Sequence, residues 1–249
     1  MVNLSKISSK GKFMFLAYDH GLEHGPKDFT IATMDPNYIL DIAVKGKFNA
    51  VILQKGIAEK YYSPYKNKIP LIVKLNGKTN LVDGEPYSAP LCTVDEAIKL
   101  GAKGVGYTVY VGSKFESIMF KEFSRVTSEA HSKNIPVIAW MYPRGSAVSG
   151  KENSKEILAY SARVGLELGG DILKMHYAGN VNDMRWVVKN AGRAKVVISG
   201  GLKEREEDFL KELKDAIKAG CAGIAVGRNV WQAKDPLHIS GEIRKIILE

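Results

Sequence analysis

Lys174 has the most chemistry open to it of any residue in this sequence. It follows Asp171-Ile172-Leu173 at the end of an apolar run, which puts its amine among buried neighbours and away from bulk water. A lysine amine is a nucleophile only when neutral. Bringing its pKa from about 10.4 to roughly 7 or 8 means a change of roughly 4 kcal/mol, which desolvation and nearby cations supply. Such an amine condenses with a ketone, and the resulting Schiff base withdraws electrons from the adjacent carbon bond. The plainer reading is a lysine that snorkels or pairs with Asp171.

Other residues give Lys174 company. Tyr142, in Trp140-Met141-Tyr142-Pro143-Arg144-Gly145, donates or accepts the proton that carbon–carbon cleavage moves. Asp19, in the stretch DHGLEHGPKDF with His20, His24 and Asp28, can hold a hydroxyl, balance the Lys174 charge or share the proton work. Ser199-Gly200-Gly201 and Gly227-Arg228 carry the glycines that let backbone N–H groups approach phosphate oxygens, and Arg228 adds paired donors. Arg144 is a second anion contact, and with His24 it is expected to hold the far end of a long substrate. His20, His24, Asp19 and Glu23 also raise the question of a metal, but no HExxH or Cys/His spacing supports one, and none is expected. Gly101-x-x-Gly104-x-Gly106 precedes an apolar run and so reverses a dinucleotide fingerprint; it reads as a turn.

These residues share a position in the pattern of elements. Short β-branched runs predict strands over Phe13–Tyr18, Ala50–Gln54, Leu71–Leu75, Val105–Tyr110, Val137–Tyr142, Asp171–Met175, Lys195–Ser199 and Gly223–Val226. Helical periodicity lies between them, as in Glu206–Ala219, where Phe209, Leu213, Ala216 and Ile217 share a face. Asp35 before Pro36 and Asp235 before Pro236 read as helix starts, and Thr93 with Glu96 and Ser113 with Glu116 as capping boxes. Residues 56–70 leave room for a short helix or loop, and 77–91 is too rich in turn residues for regular structure. Eight βα units in 249 residues predict one domain over residues 1–249, a closed (β/α)8 TIM barrel of the α/β class; an open doubly wound sheet is the alternative. Barrels place their chemistry at the C-terminal strand ends, where all the residues above fall, and often bind phosphate after strands seven and eight.

Composition narrows the partners. The surplus of 36 Lys+Arg over 27 Asp+Glu, net +9, asks for an anion. No basic run, zinc finger or RNA-binding aromatic motif suggests nucleic acid, and no apolar stretch suggests a membrane span. No secretory signal is visible, so a cytoplasmic protein is expected. Cys92 and Cys221 stand far apart without a C-x-x-C partner and read as reduced packing residues.

The stretches DHGLEHGPKDF, QKGIAEKYY, VKLNGKT, GYTVYVGS, WMYPRG, LKMHYAG, ISGG and IAVGRNVWQ, from about Tyr18 to Gln232, resemble the archaeal-type class I fructose-bisphosphate aldolases, the DhnA-like branch of Schiff-base aldolases. The resemblance implies a barrel that cleaves fructose 1,6-bisphosphate reversibly, in glycolysis and gluconeogenesis, to glycerone phosphate and glyceraldehyde 3-phosphate. It implies Lys174 as the Schiff-base residue and Tyr142 as proton donor. Asp19, His20, His24, Asp28, Trp140, Arg144, Met175-His176, Ser199, Gly200, Gly201, Gly227 and Arg228 would be the substrate contacts. It also implies independence from metal and cofactor and a homo-oligomer, a decamer in relatives. Other members of the branch act on different sugar phosphates or make an aromatic amino acid precursor, which is the alternative reading.

Overall fold

Eight parallel strands close into a ring in which each pairs with the next in sequence and the last with the first. The computed structural model describes residues 2–248. The strands are β1 (Phe13–Tyr18), β2 (Ala50–Gln54), β3 (Leu71–Lys74), β4 (Gly104–Val111), β5 (Val137–Pro143), β6 (Ile172–Met175), β7 (Lys195–Ser199) and β8 (Gly223–Val226). The outer helices are α1 (Pro36–Lys45), α2 (Lys55–Tyr61), α3 (Val94–Lys99), α4 (Glu116–Ser132), α5 (Lys155–Glu167), α6 (Val181–Asn190), α7 (Glu206–Lys218) and α8 (Pro236–Leu248). The closed barrel therefore holds and the open sheet does not.

Strand alternation sorts the core in two. Phe13, Phe15 and Ala17 of β1, Ile72 of β3, Ile138 and Trp140 of β5, Ile172 of β6 and Val197 of β7 fill the barrel interior. The residues between them, such as Leu16, Val73, Met141, Leu173, Met175 and Ile198, pack outward against the helices. Because side chains alternate with period two, continuing the inward set toward the C-terminal end of each strand fixes which residues reach the mouth. That parity selects Asp19, Lys74, Tyr142, Lys174, Ser199 and Gly227.

Most helix starts are as expected. The Asp35 carboxylate accepts the Asn37 N–H at 2.9 Å, and Asp235 accepts those of Leu237 and His238 at 3.0 Å. Thr93 and Glu96 complete the reciprocal capping box. The Ser113–Glu116 box does not form. The Ser113 hydroxyl donates instead to the Pro86 carbonyl at 2.6 Å, Glu116 accepts the Gly112 N–H at 2.8 Å, and α4 starts at Glu116. A long-range bond to the 77–91 segment outcompetes the local cap. That segment is not wholly irregular, since Asn76–Gly77 pairs antiparallel with Ala89–Pro90. Both cysteines are buried and free.

Asp171 does not pair with Lys174. At the opposite end of the barrel, its carboxylate accepts the Val137 N–H at 2.8 Å and meets His131 at 2.9 Å, tying the starts of β5 and β6 together. At the mouth, Gly106 of β4 makes room for Trp140, because a Cβ there would stand 2.2 Å from the indole ring. Gly106→Ala is therefore expected to displace Trp140 and to destabilise the fold by roughly 1–3 kcal/mol, the usual cost of overpacking. Urea unfolding checks this; an unchanged midpoint would refute the tight approach.

Candidate active site

The strand ends surround one cavity at the C-terminal mouth of the barrel. Lys174 and His176 reach it from β6, Trp140, Tyr142 and Arg144 from β5, and Asp19 and His20 from the end of β1. Ser199, Gly200 and Gly201 follow β7, and Gly227 and Arg228 follow β8. Lys174 is 4% exposed, and its Nζ lies 4.9 Å from the centre of the Trp140 ring, a favourable cation–π distance. Trp140 and Lys174 are register partners on adjacent strands, which sets this approach.

Burial lowers the pKa of Lys174, and the Arg228 charge lowers it further, against the opposing pull of Asp19 and Glu23. The amine is thereby moved toward the neutral, nucleophilic form. Burial alone would raise the pKa of Asp19, but Lys174, His20 and Lys74 outweigh it and hold the carboxyl below its ordinary value, so Asp19 is ionised. Burial, reinforced by the Asp19 charge, raises the pKa of Tyr142, so its phenol keeps its proton. The mouth thus holds a deprotonatable amine, a carboxylate that accepts protons and a phenol that donates one. His176 packs edge-on to Tyr142, with ring centres 4.8 Å apart. Burial, with the Arg144 and Lys174 charges, lowers its pKa to about 4, so it is neutral near pH 7.

The cations fall into two groups. Arg228 Nη1 donates to Asp28 Oδ2 at 3.1 Å and stands 3.4 Å from His24 Nδ1, and Nη2 donates to the Gly201 carbonyl at 3.1 Å. Asp28 also holds His24 at 2.6 Å. Arg228 Nε is buried without a hydrogen-bond partner among the described residues, a donor left over beside the glycine loops. Arg144 lies apart from this group, donating to Glu23 Oε1 at 2.7 Å and stacking near Tyr110. His24 thus belongs with Arg228, not with Arg144 as the sequence suggested, because the turn through Gly25–Asp28 folds His24 back onto Asp28.

Two residues expected as substrate contacts do not line the cavity. Met175 has the outward parity and is fully buried against the helices, and Asp28 stands behind His24 and Arg228. Sequence reasoning missed Lys74, Glu23, Tyr110, Gln54 and Ser88, all of which line it. Lys74 carried the same signal as Lys174, a lysine closing an apolar strand with the inward parity of Ile72. Ser88 gave none, since it sits in a turn-rich segment. Among the described residues, no group of three or more His, Cys, Asp or Glu could hold a metal ion.

Residues 13–233 match the model of the DeoC/LacD family aldolases. The chain is 47% identical over 255 residues to a fructose-bisphosphate aldolase class 1 of Thermoproteus tenax, spanning 99% of this chain and 95% of that protein. To the enzyme of the same description in Halobacterium salinarum it is 46% identical over 247 residues, with 98% and 94% covered. In structure it is similar to an archaeal fructose-1,6-bisphosphate aldolase whose catalytic lysine is covalently bound to the carbinolamine intermediate of the substrate. The TM-score is 0.94 at 47% identity, and 98% and 97% of the two chains are covered.

The site also shapes acid stability. Burial lowers the pKa of His20 to about 4, opposed by Asp19, whose carboxylate is 3.8 Å away. Below about 6.5 the unfolded chain protonates this histidine, whereas the folded chain does not until about pH 4. The unfolded state therefore binds more protons in that window, and folding stability is lost as pH falls through it. His20→Asn is expected to lose less stability than wild type between pH 6.5 and 4, by on the order of 2 kcal/mol. Urea titrations across pH measure it, and parallel slopes would contradict the assignment.

Proposed function

The chain belongs to the DeoC/LacD family of aldolases, and from that premise we propose that it is a class I fructose-1,6-bisphosphate aldolase acting through a Schiff base on Lys174. The observation that carries this reading is the buried Lys174 amine beside an ionised Asp19 and a protonated Tyr142.

The neutral Lys174 amine adds to the ketone carbon, and the carbinolamine takes up one proton as it loses water, which leaves a protonated imine; that proton is given back when the imine is finally hydrolysed. The proton leaves the hydroxyl on the fourth carbon, with Asp19 as acceptor. The bond between the third and fourth carbons then breaks, its electron pair moves into the imine to give an enamine, and glyceraldehyde 3-phosphate departs. Tyr142 returns a proton to the third carbon, and hydrolysis of the imine releases glycerone phosphate and the free amine. The electron sink is the imine itself, so the steps require no metal. His20, His176 and Trp140 wall the reacting carbons.

The phosphate nearer the ketone would lie at Ser199, Gly200, Gly201, Gly227 and Arg228, where the unpartnered Arg228 Nε supports an anion, with His24 and Asp28 orienting the guanidinium. The distal phosphate would draw Arg144 from Glu23. The reaction belongs to glycolysis and, in reverse, to gluconeogenesis. Residues 1–249 would act as one domain in the cytoplasm, without nucleic acid or membrane. We infer a homo-oligomer; exposed Tyr160 and Trp186 on the neighbouring helices α5 and α6 support an interface there.

Borohydride reduction with substrate bound is expected to leave a covalent adduct on Lys174, read by peptide mass; its absence, or cleavage retained in Lys174→Ala, refutes the mechanism. Tyr142→Phe is expected to lower the turnover rate by roughly 10²- to 10⁴-fold, the range for a general acid, in a steady-state assay. Activity is expected to survive an excess of chelator unchanged; loss on chelation would point to a metal-assisted reaction.

A further inference from the structure

Lys74 is a second buried lysine that the steps above do not use. It is 5% exposed, lies at the end of β3, and its Nζ stands 5.3 Å from the ring centre of Trp140, the indole that also carries Lys174. Burial lowers its pKa to about 8, with Asp19 and Glu23 opposing the change. Among the described residues, one hydrogen bond holds it, a donation to the Asn76 carbonyl at 3.0 Å, although an ammonium has three donors.

The wall around it is rigid. The Asn76 side chain is fully buried, donates to the carbonyls of Ser88 and Thr108 at 3.0 and 2.9 Å, and accepts the Thr108 N–H at 2.8 Å. This pins Ser88 at the cavity edge, 1% exposed, with a hydroxyl that has no hydrogen-bond partner among the described residues. Two polar groups with unused hydrogen-bonding capacity thus line the same wall. An ammonium buried only to fill space would be replaced at no loss by a methionine of similar length.

The position says what the wall faces. Around the ring, β3 lies across from the loops after β7 and β8, with Lys174 of β6 and Tyr142 of β5 on one side between them. A ketose anchored by its phosphate at those loops and bonded to Lys174 extends its remaining carbons toward β3. Lys74 lies deep, with Asp19 and Glu23 already countering its charge, whereas Arg144 has a side chain 40% exposed nearer the rim. The deep groups therefore suit neutral hydroxyls and the rim cation suits an anion.

We propose that Lys74 and Ser88 form the subsite that reads the hydroxyls of the substrate beyond the bond that breaks. Lys74 donates to one of them, and the Ser88 hydroxyl donates or accepts at the next. This assignment rests on the aldolase reading above and adds to it the residues that select a polyhydroxylated ketose over a three-carbon one.

The test uses the full chain with Lys74→Met and Ser88→Ala and three substrates: fructose 1,6-bisphosphate, fructose 1-phosphate and glycerone phosphate. Lys74→Met is expected to lower kcat/KM about 10- to 100-fold for both fructose phosphates, the effect of losing a charge-assisted hydrogen bond, and Ser88→Ala about three- to tenfold. Borohydride trapping of glycerone phosphate on Lys174, which needs the folded site but no distal hydroxyl, is expected to stay within twofold of wild type in both variants. Cleavage within threefold of wild type in Lys74→Met overturns the proposal. So does loss of trapping in parallel with cleavage, which would mean that Lys74 acts only through the charge of Asp19, or a loss confined to the bisphosphate, which would make it a phosphate contact. Absence of any adduct in the wild type rejects the Schiff-base reading itself, and this assignment falls with it.

Discussion

Lys174, Lys74, Asp19 and Glu23 share the mouth of a barrel whose interior is otherwise filled by Phe13, Phe15, Ile72, Ile138 and Ile172. Burial weakens solvent screening of these charges, so each group depends on the others to be tolerated. The reaction exploits that dependence. Burial pushes Lys174 toward its neutral form, while the same cluster of cations keeps Asp19 ionised, and burial, reinforced by the Asp19 charge, holds the proton on Tyr142. The proposed base, nucleophile and acid share one balance of charge and burial.

Trp140 gives this balance its geometry. Its indole takes both lysines within cation–π distance, and it fits in the barrel where it does only because Gly106 on the adjacent strand has no side chain. The helices contribute less to the chemistry than to the closure that makes this arrangement possible. Asp171, capping the far end of β5 and β6, serves closure alone. The two ends of strand β6 thus divide the labour, stability at Asp171 and the proposed reaction at Lys174, as the barrel architecture leads one to expect.

The net charge of +9 first suggested an anionic partner in general terms. The cavity makes that demand local. Arg228, supported by Asp28 and His24, and Arg144, supported by Glu23, are two separate guanidinium groups that follow different strands, each held in place by a carboxylate. Such pairing fixes the orientation of both cations and leaves each able to exchange or share its partner with the phosphates proposed to bind there.

Strands, most caps and the inward or outward sense of each side chain were legible in the sequence, because they rest on local periodicity: alternation along a strand and hydrogen bonding within four residues. That is how Lys174, Tyr142 and Asp19 could be picked out, and how Met175 could have been rejected and Lys74 found, since both obey the same parity. Tertiary structure alone decided what depends on ring closure. It brought Arg228 to His24 across 204 residues and Arg144 to Glu23 across 121, and it took the Ser113 hydroxyl from its own helix to Pro86. It also placed Ser88 in the wall through Asn76. Those choices turn on which segments the closed barrel makes neighbours, and no local preference in the chain records that.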